Sequence, residues 1–343
     1  MSGAAFRPIA MTDAQRSAAS LPLAGGPVWF DRAERLVRQG LGRNLVPLAD
    51  IPAALRDRLS APRPPICGLS LDRPRLMAVL NVTPDSFSDG GRYQGFNDAV
   101  TAGRALAEAG ADILDIGGES TRPGAEPVPE AVEIERTIPV IAALREQGVD
   151  IPISIDTRKA GVARAALAVG ANLINDVSAL GHDRDMITLL ANSRVPVCLM
   201  HAAGDTRTMQ QNPVYDDVLP DVFDYLAARI RLAESRGIGR DRILADPGIG
   251  FGKTLEHNLA LIRGLSLFHG LGCALLLGVS RKRFIGTIGR QPQADLRAPG
   301  SIALGLEGLR QGVQMLRVHD IAETRQAVAL WRAVNMQEPE ASS

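Results

Sequence analysis

The sequence predicts an α/β fold, a (β/α)8 TIM barrel preceded by an N-terminal extension. From Leu76 onward a short apolar run, a loop with Gly, Asp or Asn and an amphipathic segment follow one another repeatedly, the pattern of βα units wound around a parallel sheet. Eight such units can be counted, enough to close a barrel. The first βα turn reads Asn81-Val82-Thr83-Pro84-Asp85 and lacks the Gly-rich opening of a doubly wound sheet, which favours closure. Such a barrel takes about 250 residues. The 343 residues therefore divide into an extension over 1–72, a barrel over 73–337 and a disordered tail over 338–343.

The extension holds Leu21-Pro22-Leu23-Ala24-Gly25-Gly26, the apolar pair Trp29-Phe30 and an extended Pro-rich join, Ala61-Pro62-Arg63-Pro64-Pro65. It carries no catalytic constellation, and short strands or hairpins covering one end of the barrel are expected. Strand one is Leu76 to Asn81, with a helix near Asn97 to Ala109; strand two is Ile113 to Ile116, with a helix near Pro129 to Gln147. Strand three is Ile151 to Asp156, and Thr157 suits the N-cap of a helix from Lys159 to Val169. Strand four is Leu173 to Asn175, with a helix near Arg184 to Ala191; strand five is Pro196 to Met200, with a long loop and a helix from Asp217 to Arg236. Strand six is Arg242 to Ala245, with Leu255 to Leu265 as its helix, and strand seven is Ala274 to Val279, with a helix near Ser301 to Gln311. Strand eight is Gln314 to Val318, after which Asp320 and Glu323 make a start like a capping box for a helix ending near Val334.

Composition narrows the function. Lys plus Arg and Asp plus Glu are equal at 38 each, so no global field draws the chain to nucleic acid or anionic lipid. Aromatics make up 4% of residues, which leaves few platforms for stacking bases. Cys67, Cys198 and Cys273 show no Cys-x-x-Cys spacing and read as reduced, buried thiols. The N-terminus has no apolar signal region and no run is long enough to span a bilayer, so a soluble cytoplasmic protein is expected. The run Pro247-Gly248-Ile249-Gly250-Phe251-Gly252-Lys253-Thr254 ends like a P-loop, but Pro247 stands where the first glycine is needed. The five histidines lack zinc-ligand spacing, and His182, His257 and His269 read as surface or cap residues.

Each strand empties into a polar group. In order these are Asn81; Glu119 with Thr121 and Arg122; Asp156; Asn175; His201; Asp246; Ser280 with Arg281 and Lys282; and Arg317 with His319. Any one of them reads equally well as a helix cap or turn residue. Eight in phase converge on the C-terminal rim, where barrel enzymes hold their chemistry. Thr121-Arg122, and Arg317 with His319 ahead of a helix N-terminus, suit a phosphate or pyrophosphate. Asn81 offers a hard oxygen to Mg²⁺, which commonly takes its other ligands from phosphate and water. Asp156, Asn175 and Asp246 are then free to recognise a flat, nitrogen-rich heterocycle.

Seven stretches together resemble the dihydropteroate synthase family: Asn81 to Gly91, Gly117 to Gly124, Ser154 to Thr157, Ile174 to Val177, Asp246 to Lys253, Ser280 to Lys282 and Arg317 to Asp320. The resemblance runs from about Leu76 to Val334 in matching order. It implies a transferase that joins 6-hydroxymethyl-7,8-dihydropterin pyrophosphate to p-aminobenzoate by an SN1-like path, in folate biosynthesis, with sulfonamides competing for the p-aminobenzoate pocket. By similarity Asp156, Asn175, Met200, Asp246, Phe251 and Lys282 hold the pterin. Thr121, Arg122, Arg317 and His319 take the pyrophosphate, and Asn81 the Mg²⁺. The p-aminobenzoate pocket is implied at Phe87, Thr121, Pro123, Ser280 and Lys282. A cation developing at the exocyclic methylene calls for nearby carboxylates, for which Asp89 and Asp156 are the candidates, and with Lys282 they make the expected catalytic set. The resemblance also implies a homodimer. The loops after strands one and two carry much of the pocket, so they are expected to be mobile and to order only when pyrophosphate is present. A methyltransferase of the same barrel superfamily would not need the pyrophosphate grip. A non-catalytic pterin-binding paralogue would have lost one of Asn81, Asp156, Asp246, Lys282 or Arg317, all of which are present.

Overall fold

A computed structural model describes residues 5–37, 42–83, 91–120, 125–204 and 209–336. The extension forms β1 (Ala5–Pro8), β2 (Leu21–Pro22), β3 (Trp29–Phe30), β4 (Arg32–Leu36), β5 (Arg43–Pro47) and α1 (Ala53–Ser60). Strand β4 lies between antiparallel β1 and β5, and β2 pairs with β3 as a short hairpin. Inward side chains at alternate strand positions, such as Phe6 and Ala33, join Leu23, Phe30, Val46, Ile51 and Leu59 in an apolar cluster. This unit packs on the 3-10 helix Leu265–Leu271, where Ser266 Oγ donates to Pro8 O at 2.7 Å and Arg63 donates to His269 O at 3.0 Å. His269 is therefore fully buried, its Nε2 2.9 Å from Gln311 O. The surface or cap role expected for it is wrong, because the extension covers the ring.

The barrel closes through β6 (Arg75–Asn81), β7 (Ile113–Gly117), β8 (Ile153–Asp156), β9 (Leu173–Asp176), β10 (Val197–Met200), β11 (Ile243–Asp246), β12 (Ala274–Leu277) and β13 (Met315–Val318), which pairs back onto β6. All neighbours are parallel, and nearly every strand residue is buried, as a sheet wrapped on both faces requires. The outer helices are α2 (Gly91–Glu108), α3 (Glu130–Glu146), α4 (Ala160–Ala168), α5 (Arg184–Ser193), α6 (Val218–Ser235), α7 (Leu255–Arg263), α8 (Arg283–Ile288), α9 (Ala298–Arg310) and α10 (Ile321–Asn335). The predicted barrel is thus observed, with one short helix, α8, that periodicity does not reveal.

Two predicted caps are different. Helix α4 has Lys159 at its N-cap, and Thr157 Oγ1 accepts from Lys159 N at 3.2 Å. Asp320 makes no side-chain cap on α10; its carboxylate accepts instead from Arg281 Nε at 3.2 Å. None of the described helices is long and apolar enough to cross a bilayer.

The strand pleat sorts the barrel's interior into two levels. Near the strand starts, Met77, Ile113, Leu173, Cys198, Leu244, Leu276 and Met315 form a separate apolar cluster with Ile66 and Leu71 of the incoming chain. One pleat further along lie Asp115, Asn175, Met200, Asp246 and Arg317, all on strands and, Arg317 apart, all at most 5% exposed. The C-terminal level of the barrel is where the polar chemistry sits.

Candidate active site

Asp156, at the end of β8, is the best-defined carboxylate of the rim. Its Oδ2 accepts from Arg317 at 2.8 Å, while its Oδ1 is buried without a hydrogen-bond partner among the described residues. Burial raises its pKa to about 7; Arg317 opposes that rise and Asp115 adds to it. Arg317 is turned into the barrel, its Nε 2.5 Å from Asp115 Oδ2. Burial alone would weaken the guanidinium's hold on its proton, but the Asp115 and Asp156 carboxylates reverse that and keep it firmly charged. Asn175 Nδ2 donates to the same Asp115 oxygen at 3.0 Å. Between Asn81 and Asp156 lies Gly117, where a Cβ would stand at ordinary contact distance, 3.4 Å from Asp156 Cβ and 3.8 Å from Asn81 Oδ1.

Across the rim, Asp246 Oδ1 accepts from Gly248 N at 2.7 Å, starting a tight loop through Gly248, Gly250 and Gly252, all with positive φ. A Cβ on Gly248 would fall 1.8 Å from His201 O, so no larger residue fits. Burial raises the Asp246 pKa, against the Gly248 N–H and the charges of Lys282 and Lys253. The loop is held from beneath by Lys253, only 3% exposed, which donates to His201 Nδ1 and to Phe251 O, each at 2.9 Å. Burial lowers the Lys253 pKa to about 7, with Asp246 opposing, and lowers that of His201 to about 3, with Lys253 assisting. The lysine and threonine of the apparent P-loop are thus structural, since Thr254 caps α7 in a capping box with His257. His201 sits against Tyr225, ring centroids 4.8 Å apart, and its contacts are those of a buried support.

Lys282 Nζ stands 4.1 Å from the centroid of Phe251, which joins strand seven's loop to strand six's by a cation–π contact. Ser280 Oγ bonds His319 Nδ1 at 2.9 Å. Burial, then Arg317 and Arg281, lower the His319 pKa to about 3, so in the free protein this ring is neutral. Glu119, just past the end of β7, accepts from Lys159 at 2.6 Å, Arg158 at 2.9 Å and Val128 N at 3.2 Å. Burial works to raise its pKa, but the two cations hold it low.

Asn81, Asp156, Asn175, Met200, Asp246, Phe251, Ser280, Lys282, Arg317 and His319 therefore all stand at the C-terminal ends of strands or in the loops beyond them. Phe87, Asp89, Thr121, Arg122 and Pro123 lie outside the described residues, as does the expectation about the loops that carry them. Asp115 and Lys253 are the contributors that sequence reasoning overlooked. Asp115 had a readable signal, a charge inside the apolar run Ile113 to Ile116; the role of Lys253 was hidden by the P-loop likeness.

The family model for pterin binding enzymes matches residues 77–319. The dihydropteroate synthase of Synechocystis sp. is 44% identical over 264 residues, covering 76% of this chain and 91% of that protein. The chain belongs to the dihydropteroate synthase family. Among solved structures, the family member from Xanthomonas albilineans with 4-aminobenzoic acid superposes with a TM-score of 0.75 at 47% identity, over 81% of this chain and 99% of that one. The same enzyme with 7,8-dihydropteroate gives 0.73 at 44%, over 81% and 100%. The Yersinia pestis family member in a sulfonamide complex gives 0.74 at 41%, over 78% and 97%. The family match begins at residue 77, so the extension lies outside it.

Proposed function

We propose that this chain is a dihydropteroate synthase, condensing 6-hydroxymethyl-7,8-dihydropterin pyrophosphate with p-aminobenzoate to 7,8-dihydropteroate and pyrophosphate. The observation that carries this is the convergence of Asp156, Asn175, Asp246 and Lys282 around Arg317 on one rim, a donor and acceptor set suited to the edge of a pterin. Asp156 Oδ1, buried and unpartnered among the described residues, is the acceptor a ring N–H would satisfy. Asp246 and Lys282 read the opposite edge, and Met200 and Phe251 supply apolar walls.

In the reaction the bond from the exocyclic methylene to the pyrophosphate oxygen breaks, with its electron pair leaving on the pyrophosphate. The amine of p-aminobenzoate then forms the C–N bond and loses a proton. No side-chain nucleophile is required. The cation that develops on the pterin is assigned to carboxylate stabilisation, by Asp156 foremost and by Asp89. Arg317 and His319, with Thr121 and Arg122, are assigned to the departing pyrophosphate. Lys282 and Ser280, with Phe87, Thr121 and Pro123, are assigned to p-aminobenzoate, the pocket where sulfonamides would compete.

Among the described residues no group of three His, Cys, Asp or Glu is placed to hold a metal. The Asn81 amide oxygen at the mouth of β6 fits a Mg²⁺ that takes its remaining ligands from pyrophosphate and water. When bound there, the ion would neutralise charge on the leaving group. The test is pyrophosphate release by purified protein with Mg²⁺ and both substrates, with and without a sulfonamide. Release that needs both substrates and is lost in Lys282→Ala supports the synthase; tight pterin binding without release would replace it with a non-catalytic binder.

A further inference from the structure

We propose that Asp115 is a positioning residue for pterin recognition, a buried carboxylate that sets the amide of Asn175 and the guanidinium of Arg317 so that their remaining polar edges face the ligand. This rests on the reading of the rim as a pterin site. Asp115 is 0% exposed and occupies the middle of β7, between Leu114 and Ile116, which face outward into the helical layer. One of its oxygens, Oδ2, accepts from two residues assigned to substrate: Asn175 Nδ2 at 3.0 Å and Arg317 Nε at 2.5 Å, from 60 and 202 positions away. Its other oxygen has no hydrogen-bond partner among the described residues. A carboxylate held at this depth is costly unless it is paired, and its two partners are members of the candidate site.

The chemistry follows from the shapes of the two partners. A primary amide is nearly symmetric in outline but not in function, so an unanchored asparagine can present either its oxygen or its nitrogen to a ligand. By taking one Nδ2 hydrogen, Asp115 decides which edge of Asn175 stays open: the Oδ1 acceptor and the second N–H. Arg317 is gripped along one side, Nε by Asp115 and a terminal nitrogen by Asp156 at 2.8 Å, which fixes the plane of the guanidinium. Two recognition residues from β9 and β13 thus share one reference point on β7.

The test is Asp115→Asn, which preserves shape and removes the charge. The KM for the pterin pyrophosphate and the calorimetric Kd for the pterin should rise together by roughly 10- to 100-fold, the loss expected for charge-assisted hydrogen bonds. The KM for p-aminobenzoate should stay within about threefold, because uniform damage is not what positioning predicts. Asp115→Asn combined with Asn175→Ala should cost less than the two single changes added together, since part of each loss runs through the contact they share. Unchanged pterin binding in a folded Asp115→Asn protein would overturn the inference, as would a fall in kcat with both KM values intact. Wild-type protein that fails to bind the pterin would instead sink the underlying assignment of the site. Should Asp115→Asn not fold, ¹⁵N-labelled wild-type protein decides, with the Asn175 amide assigned by its loss in Asn175→Ser. One slowly exchanging Nδ2 proton supports the anchor, and two equally fast ones refute it.

Discussion

The two levels of the barrel interior stand one pleat apart on the same strands, yet they do opposite work. Ile113 and Asp115, Leu173 and Asn175, Cys198 and Met200, Leu244 and Asp246, and Met315 and Arg317 are each separated by two positions, so in a strand both members point the same way. The lower member is sealed by Ile66 and Leu71 and contributes apolar burial. The upper member is mostly polar, and for Asp246 among them, as for Asp156 at the end of β8, burial raises the pKa, meaning that their charge is held at a cost. Depth along the barrel axis, not sequence neighbourhood, separates stability from recognition.

Truncation at the lower level should give the largest effect and the clearest split. Leu173→Ala removes a fully buried side chain and should cost about 2 to 5 kcal/mol in chemical unfolding, while the protein that remains folded keeps its KM values. In the rim loop above the upper level, Lys282→Ala should reverse that pattern, with kcat/KM falling roughly 10²- to 10³-fold and the thermal midpoint almost unmoved. If either variant moved both readouts together, the two levels would not be separable.

A pH series sharpens the contrast. The ionised Asp156 is the acceptor, so pterin affinity should rise with pH up to about 7 and then level off, by roughly tenfold per unit on the rising limb. Asp156→Asn should bind more weakly and without that slope in calorimetry. For stability the sign is opposite: a carboxyl pKa raised by folding means the native state binds the proton more tightly than the unfolded chain does. This contribution is therefore present at low pH and is lost as pH rises from the ordinary carboxylate range through about 7. The smallest effect is expected at Ser280→Ala, which removes the partner of His319 Nδ1. A loss of about 0.5 to 1.5 kcal/mol, read as a several-fold rise in KM for the pyrophosphate substrate, is the expected result.

The barrel was legible in the sequence because buried parallel strands must be apolar and their loops must be polar, and both signals are local. Strand ends at Asn81, Asp156 and Asn175 could be read for the same reason, since a polar residue closing an apolar run marks the rim. Helix α8 escaped because six residues are too few to establish a period. The burial of His269 is not legible locally, because a lone histidine carries no mark of what will cover it; Arg63, which donates to its carbonyl oxygen, lies 206 positions earlier. The P-loop likeness hides Lys253, whose Nζ ties two rim loops together through His201 Nδ1 and Phe251 O.

By itself, then, the sequence determined the repeat of strand and helix, the polar rim and the family, all of which rest on residue type and spacing along the chain. Only the tertiary structure decided that Arg317 turns inward to Asp115 and Asp156, that one buried carboxylate serves both Asn175 and Arg317, and that Lys253 sits beneath His201. Those contacts join strands far apart in sequence. They exist because closing the barrel brings the inward faces of its strands to a common centre, where burial leaves each charged or polar group to find its partner among the others.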